Sequence, residues 1–545
     1  MKKRRFGAKL ALVSSLVLLF ALAACKGLSV RPIVPLPSPK TPEVKATDAP
    51  GTSVPNTPQT LPDTFAPGND GYDEGECAAL SAFFELNDPA GIKNGRKAFG
   101  ERYDPRDPAS WENVYWVRID GKMHVHTIFL DELDLYGALD VSGFSALEML
   151  SCRENMLKSI DVSFCGSLTE LIIDSNPLLP MPELTGCDRL YLLSCEGNGY
   201  TSLDLSDCPS LCVLNCGSNA LTELNVSACG ALSMLYCGGN ALSALDLSNC
   251  TELILLDCGQ NTLDELDLEN NRSLNYLICS QNRIKTLDLS KHSALYQIDC
   301  DNNELTSLKL YSGYYSALSL LRCVGNNLSE LDVSFCRLLS ELRAGENPAL
   351  KKLDVSACTA LNILECAGCG LTELVVSNNP ELTTLNCADN ALSELELSSC
   401  AELILLNCDG NALSALDVSA NPNLNELNCV GNGLSALLFS RHDQLYYINC
   451  SDNALTELDV SNCGRLLSLN CSHNRLGSLN ISGLAGLSFL HCEGNELSEL
   501  DISSNIELFM LVCTDNRLTA IDCHNCTGLK SVEADEGVEL IEFFG

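Results

Sequence analysis

Residues 232–252 read LSMLYCGGNALSALDLSNCTE, and this string recurs with substitutions down most of the chain. Aligned on its Asn, the copies fall at Asn155, Asn176, Asn198, Asn219, Asn240, Asn261, Asn282, Asn303, Asn326, Asn347, Cys369 in the Asn place, Asn390, Asn411, Asn432, Asn453, Asn474, Asn495 and Asn516. The interval is 21 residues, apart from single-residue insertions before Asn198 and Cys369 and a two-residue insertion before Asn326. The shared pattern, L-x-x-L-x-C-x-x-N-x-L-x-x-L-D-[LV]-S-x-[CN]-x-x, occurs about 18 times. A fixed period of this length means stacked supersecondary units rather than several globular domains.

Each position in the unit has a physical reason. In L-x-C the Leu and the Cys lie two apart, so both point to one side of a short strand while their neighbours face the other way. The Asn three residues later ends the strand, and its amide can satisfy backbone groups of its own and adjacent coils. Two further leucines and the apolar residue before Ser fill the interior. No coil of 21 residues holds a core alone, so stacking is obligatory. The pattern resembles the leucine-rich repeat family in its short, Cys-containing, internalin-like form. That resemblance implies a repeat solenoid with a parallel β-sheet on the concave face, short strands and turns on the other side, and caps at both ends. At about 4.8 Å per coil the stack is on the order of 85 Å long.

The remaining sequence divides around this body. Residues 1–24 carry Lys2, Lys3, Arg4, Arg5 and Lys9 and then an apolar run, which reads as an export signal. Leu22-Ala23-Ala24-Cys25 resembles a bacterial lipobox, which implies cleavage before Cys25 and lipid attachment to it. Residues 25–72 form a Pro/Thr-rich linker; residues 31–70 alone hold 10 of the 20 prolines. Such a stretch has no means of building a core and serves as a semi-extended spacer. Residues 73–146 are expected to be an N-terminal cap, with a helix over 76–86 and a strand pair at 114–119 and 125–130 around Asp120-Gly121. The solenoid covers 147–530, and 531–545 closes the core with the apolar run 538–544.

The chain has 34 Lys and Arg against 71 Asp and Glu, a net charge of −37. Loss of residues 1–24 removes five positive charges and no negative one, leaving −42. That balance excludes a phosphate-binding surface, so nucleic acid is not an expected partner. Of the 31 cysteines, sixteen sit three before the Asn and ten in the later S-x-C place. In-register strands put equivalent atoms about 4.8 Å apart, whereas a disulfide needs Cβ atoms about 3.8 Å apart, so the columns should be ladders of free thiols. Asn271, Asn379, Asn421 and Asn505 replace Cys in the second column. Cys366-Ala-Gly-Cys369 and Cys523-His-Asn-Cys526 have redox or half-metal-site spacing, but no second pair lies at zinc spacing. His124 and His126 share a strand face; the other histidines, His292, His442, His473, His491 and His524, read as scattered over different repeat positions. No nucleotide loop, G-x-S-x-G or other catalytic constellation is present, so no enzyme activity, cofactor or metal is expected.

What remains is surface. A column of twelve acidic residues, from Asp161 and Asp204 to Asp501 and Asp522, makes a ridge that either binds cations or serves solubility. The expected partner-binding face is the exposed side of the main strands. There Leu192, Val213, Met234, Leu255 and Tyr276 form one stripe, with Tyr236 and Ile278 beside it. Such an apolar stripe facing solvent suits protein binding. Phe489 and His491, with Met510 and Val512, form a second cluster, and the insertion before Asn326 bulges out Tyr311, Tyr314 and Tyr315. Asn386, Asn407, Asn428, Asn449 and Asn470 form an amide ladder that suits sugar, peptide backbone or self-solvation equally. The expected function is therefore a lipid-anchored surface protein that adheres to or binds another protein, on its own cell or on a host or neighbouring cell. The alternatives are a glycan or cell-wall binder and a scaffold without a dedicated ligand.

Overall fold

The computed structural model describes residues 71–541. The leader, Cys25 and the linker up to residue 70 lie outside the described residues, as do residues 542–545. Twenty-one strands form one sheet that runs the length of the solenoid, and pairs of short strands lie on the other side. The repeat strands pair parallel and in register; Leu192, Val213 and Met234 lie directly opposite one another across three of them. One continuous core runs from Leu80 to Leu529. This is the leucine-rich repeat architecture that the 21-residue period implies.

One coil shows how the sequence makes it. In the strand Met234–Tyr236, Leu235 turns inward and is fully buried, as is Cys237 one residue beyond. The chain then reverses at Gly239, where φ is 69°. The same left-handed residue stands immediately before the Asn column in all 18 coils, with φ between 50° and 69°. The Asn240 Nδ2 donates to the carbonyls of Cys237 and, one coil earlier, Cys216, both at 3.0 Å, while its Oδ1 accepts from the Leu221 N–H at 3.0 Å. Each amide thus stitches two coils together, as the sequence suggested.

The second column is more than packing. The Cys165 thiol donates to the Val141 carbonyl at 3.1 Å, and the Asn271 Nδ2 donates to the equivalent Leu247 carbonyl at 3.1 Å. His292 and His442 occupy this column too, each with Nε2 3.1 Å from the matching carbonyl, of Leu268 and Val418. A carbonyl only accepts, so Nε2 carries the proton in both. The reading of these two histidines as scattered is therefore corrected: Cys, Asn and His interchange because each offers a donor at that point.

All thirty described cysteines are free thiols, and all but Cys77 are buried. In the native protein, Ellman's reagent should find at most one or two reactive thiols; in denaturant without reductant it should find about thirty. A denatured count below ten would contradict the ladder.

The N-terminal cap begins with helix α1 (Glu74–Phe84), capped by the Asp73 carboxylate, which accepts from the Gly75 and Glu76 N–H groups. A short helix α2 (Asn94–Phe99) follows, and the strands β1 (Val114–Ile119) and β2 (Lys122–Phe129) form an antiparallel hairpin. Asp120 and Gly121 both take positive φ, as a tight hairpin turn requires. β2 then pairs parallel with the strand of the first coil. Trp111 is buried and its Nε1–H donates to the Asp104 carbonyl at 3.1 Å, while Trp116 stacks edge-on against Tyr72. Asn94 ties the elements of the cap together, accepting from the Tyr136 N–H at 3.0 Å and donating to the Phe83 carbonyl at 3.0 Å. At the other end, the strand Glu539–Ile541 pairs with Ala520–Asp522, and Val538 and Leu540 pack partly buried on the last coils.

Candidate functional site

The outward positions of the main strands carry the site. Leu192, Val213 and Met234, expected to face solvent, are in fact buried, at 5%, 2% and 5% exposure. Strand alternation does put them on the outer face. In register at about 4.8 Å, however, consecutive bulky side chains cover one another, and Cys212 joins the same small cluster. Ile172, Tyr191, Tyr236 and Leu255 pack around this cluster and stay partly open. Tyr276 and Ile278 are half-buried one coil further on, with the Tyr276 ring 6.0 Å from that of Tyr296. These seven predicted residues form one contiguous apolar face.

The other predicted residues do not join it. Phe489, largely exposed, and His491, half-buried, lie on the same sheet ten strands on from Tyr276, about 48 Å away at the strand spacing. Phe489 pairs with Phe509 at 6.0 Å, while Met510 is half-buried and Val512 is buried. Tyr311, Tyr314 and Tyr315 follow the strand Ser307–Lys309, on the other side of the solenoid. Tyr314 and Tyr315 are 69% and 81% exposed, their rings 5.1 Å apart, and the Arg337 guanidinium lies 5.0 Å from the Tyr314 centroid.

Beside the apolar face lies a hollow of about 470 Å³, built from seven coils between Arg153 and Ser280. Its floor is open because Gly217, Gly238 and Gly259 hold successive places in a column that Glu196 and Ser280 fill on either side. A Cβ on Gly238 would come 3.0 Å from the Asp257 carboxylate and 3.2 Å from the Gly259 carbonyl. Glu154, Asp174, Glu196 and Asp257 line the rim. Burial pushes the Asp174 carboxyl up to about 6, against the lowering effect of the Ser194 hydroxyl and the Glu196 N–H, which donate to it at 2.7 Å each. Burial likewise raises Asp257. The sequence reading missed this hollow, although glycine recurring at 21-residue intervals was the available signal.

Two other candidates resolve into local structure. Along the acidic ridge every carboxylate accepts from the N–H two residues on, as Asp204 does from Ser206 at 3.0 Å and Asp417 from Ser419 at 2.8 Å. Hydrogen bonds of this kind lower the Asp204, Asp246 and Asp417 carboxyls. The Asn ladder does the same: Asn386, Asn407, Asn449 and Asn470 accept from the N–H two residues on at 3.1–3.3 Å. His124 Nδ1 lies 3.1 Å from Glu76, and His126 Nε2 3.3 Å from Glu148, so the two imidazoles serve different pairs. Among the described residues no group of three His, Cys, Asp or Glu is placed to hold a metal ion. Neither C-x-x-C pair is an activated thiol: burial raises Cys366, Cys369, Cys523 and Cys526.

No protein-family model matches the sequence, and no curated protein matches it. Among solved structures, the functional domain of InlJ from Listeria monocytogenes, described as including a cysteine ladder, is 30% identical over 60% of this chain and 68% of that one, with a TM-score of 0.50. YopM from Yersinia enterocolitica, at 24% identity, covers 75% of this chain and 91% of its own, with a TM-score of 0.57. The plant peptide hormone receptor RGFR1, solved in complex with RGF2, has 22% identity and a TM-score of 0.58, over 75% and 79% of the two chains.

Proposed function

The chain belongs to the internalin-like leucine-rich repeat proteins, and from that premise we propose that it is an exported surface protein that binds a protein or peptide partner on its concave sheet and performs no chemistry of its own. The observation that carries this reading is the contiguous apolar and aromatic face of Leu192, Val213, Met234, Tyr236, Leu255, Tyr276 and Ile278 beside an open hollow. A rigid sheet presents these side chains already ordered, so little conformational entropy is lost on binding. The lipobox-like Cys25 and the proline-rich linker support display at a distance from a membrane, touched through the lipid alone. The partner is then a protein of the same surface or of a host or neighbouring cell, and adhesion is the cellular outcome. The aromatic cluster at Phe489 and His491 and the bulge of Tyr311, Tyr314 and Tyr315 are secondary contact candidates. The glycan alternative loses support, because the Asn ladder spends its carbonyl oxygens on its own backbone.

The test uses the rim of the face rather than its buried centre, since a charge at Met234 would damage folding. Leu255→Asp with Tyr276→Asp should lower partner capture by the exported protein at least tenfold while leaving its circular dichroism unchanged. Undiminished capture would remove this face from the binding site.

A further inference from the structure

The charge around the hollow is one-sided. Four carboxylates line it, and the basic side chain among its lining residues, Arg153, is already engaged by Asp131 at 3.2 Å and Glu132 at 3.5 Å. At the N-terminal end of the apolar column stands Glu170, directly opposite Leu192 on the neighbouring strand. Its Oε2 is buried without a partner, and burial followed by the nearby Glu148 raises its carboxyl. Acids therefore stand along one flank of the apolar column and at its N-terminal end. Carboxylates removed from water without a cation are costly, and a neutral or acidic partner would deepen that cost by covering them.

The hollow spans seven coils, about 29 Å at the strand spacing, which matches roughly nine residues of extended chain. The backbone groups of these strands are used in the sheet, so an occupant is read through side chains. A chain crossing the strands would meet Glu196 first and then Tyr236, Asp257 and Ile278 on three successive strands.

We propose that this hollow is the docking site for an extended cationic segment of the partner, about nine residues long, whose Lys or Arg side chains meet Glu196, Asp257 and Asp174 while intervening apolar side chains rest on Tyr236 and Ile278. This rests on the concave-face reading above and adds the chemistry of the partner to it. The net charge of the chain sets up long-range attraction for any cation, but only here do the acids flank an open apolar floor.

The test is fluorescence anisotropy of the full exported protein with labelled nonapeptides: alternating Lys and Leu, alternating Glu and Leu, and alternating Lys and Ser. The Lys/Leu peptide should bind at least tenfold more tightly than either control, and more weakly as NaCl rises from about 50 to about 500 mM. Glu196→Gln with Asp257→Asn should weaken it about tenfold; Asn already stands in the Asp257 column at Asn215 and Asn407, so the fold tolerates the change. Asp417→Asn with Asp459→Asn on the distant ridge removes the same charge and should leave binding unchanged. Equal loss in both double variants, or equal affinity for the Lys/Ser peptide, would reduce the interaction to general attraction and overturn the proposal. If the Leu255/Tyr276 variant loses a captured partner but the Lys/Leu peptide does not bind, the concave-face reading stands and the cationic one falls.

Discussion

Between about pH 9 and pH 11 the protein should lose its fold, with a midpoint near pH 10. The cause is the thiol ladder. All twenty-six column cysteines are held above the ordinary thiol range, with burial as the first cause in each; Cys216, Cys387 and Cys450 are pushed up to about 12 and their neighbours further. In the unfolded chain the same thiols ionise near 8.5. A group whose folded value is raised contributes stability that is fully present below its unfolded pKa. That contribution is lost as pH rises toward the folded value. At pH 9 the loss is about 0.8 kcal/mol for each thiol.

Summed over the ladder this is on the order of 20 kcal/mol at pH 9 and 50 kcal/mol at pH 10, against roughly 25–70 kcal/mol for the 471 described residues at about 0.05–0.15 kcal/mol each. A protein with two or three buried cysteines would scarcely notice the same change. Circular dichroism from pH 7 to 11, under inert gas with reductant, measures the transition. Replacing Cys237, Cys258, Cys279 and Cys300 by Ala should flatten the fall of unfolding free energy above pH 9 by about 1.4 kcal/mol per pH unit for each thiol removed. Native circular dichroism persisting at pH 11 would mean that the columns are not protonated thiols in the folded state.

The fold was legible because its chemistry repeats. A period of 21 with Leu, Cys and Asn at fixed places leaves few other arrangements, and the amide role of the Asn column follows from its donors and acceptors alone. Even the irregularities have local causes. The single-residue insertions before Asn198 and Cys369 follow Asn176-Pro177 and Asn347-Pro348, where the Leu179 and Leu350 N–H groups donate back to the Asn carbonyls at 2.9 Å and close a longer turn. With the turn changed, the Cys369 thiol donates to the Ala344 carbonyl at 3.1 Å in place of an amide.

The candidate site was legible only in part. Alternation along a strand told which face Leu192, Val213 and Met234 occupy, but not that in-register neighbours would bury them. Exposure on a stacked sheet depends on residues one coil away in space and 21 away in sequence. The ridge carboxylates and the Asn ladder looked like ligand positions because each was read as a column of side chains. Each residue instead closes a turn with the N–H two positions on, a local bond that D-x-S already encodes. The left-handed residue before each Asn was hidden for a similar reason: Gln260, Gln281, Glu346 and His473 take a conformation that sequence assigns to Gly or Asn.

Replacing Asn282 with Leu should cost about 2 kcal/mol and divide the solenoid into two unfolding blocks. Asn282 is 8% exposed and lies well inside the stack. Its Nδ2 donates to the Cys258 carbonyl at 3.0 Å and the Cys279 carbonyl at 3.1 Å, and its Oδ1 accepts from the Leu263 N–H at 3.0 Å. Leu matches it in size but leaves the buried Leu263 N–H without a partner, worth roughly 1–3 kcal/mol, while the Cys258 and Cys279 carbonyls each lose one of two amide donors and keep those of Asn261 and Asn303. Because a solenoid couples only neighbouring coils, the loss falls on one junction. Urea unfolding should then show a lower midpoint with a shallower slope or two steps. The same change at Asn516, where the equivalent bonds to Cys492, Cys513 and Leu497 sit in a partly exposed terminal coil, should cost less and fray only the end. If Asn282→Leu and Asn516→Leu were equally mild, the amide would be acting as a strand terminator within its own coil, and the stitching between coils would have to come from the apolar core alone.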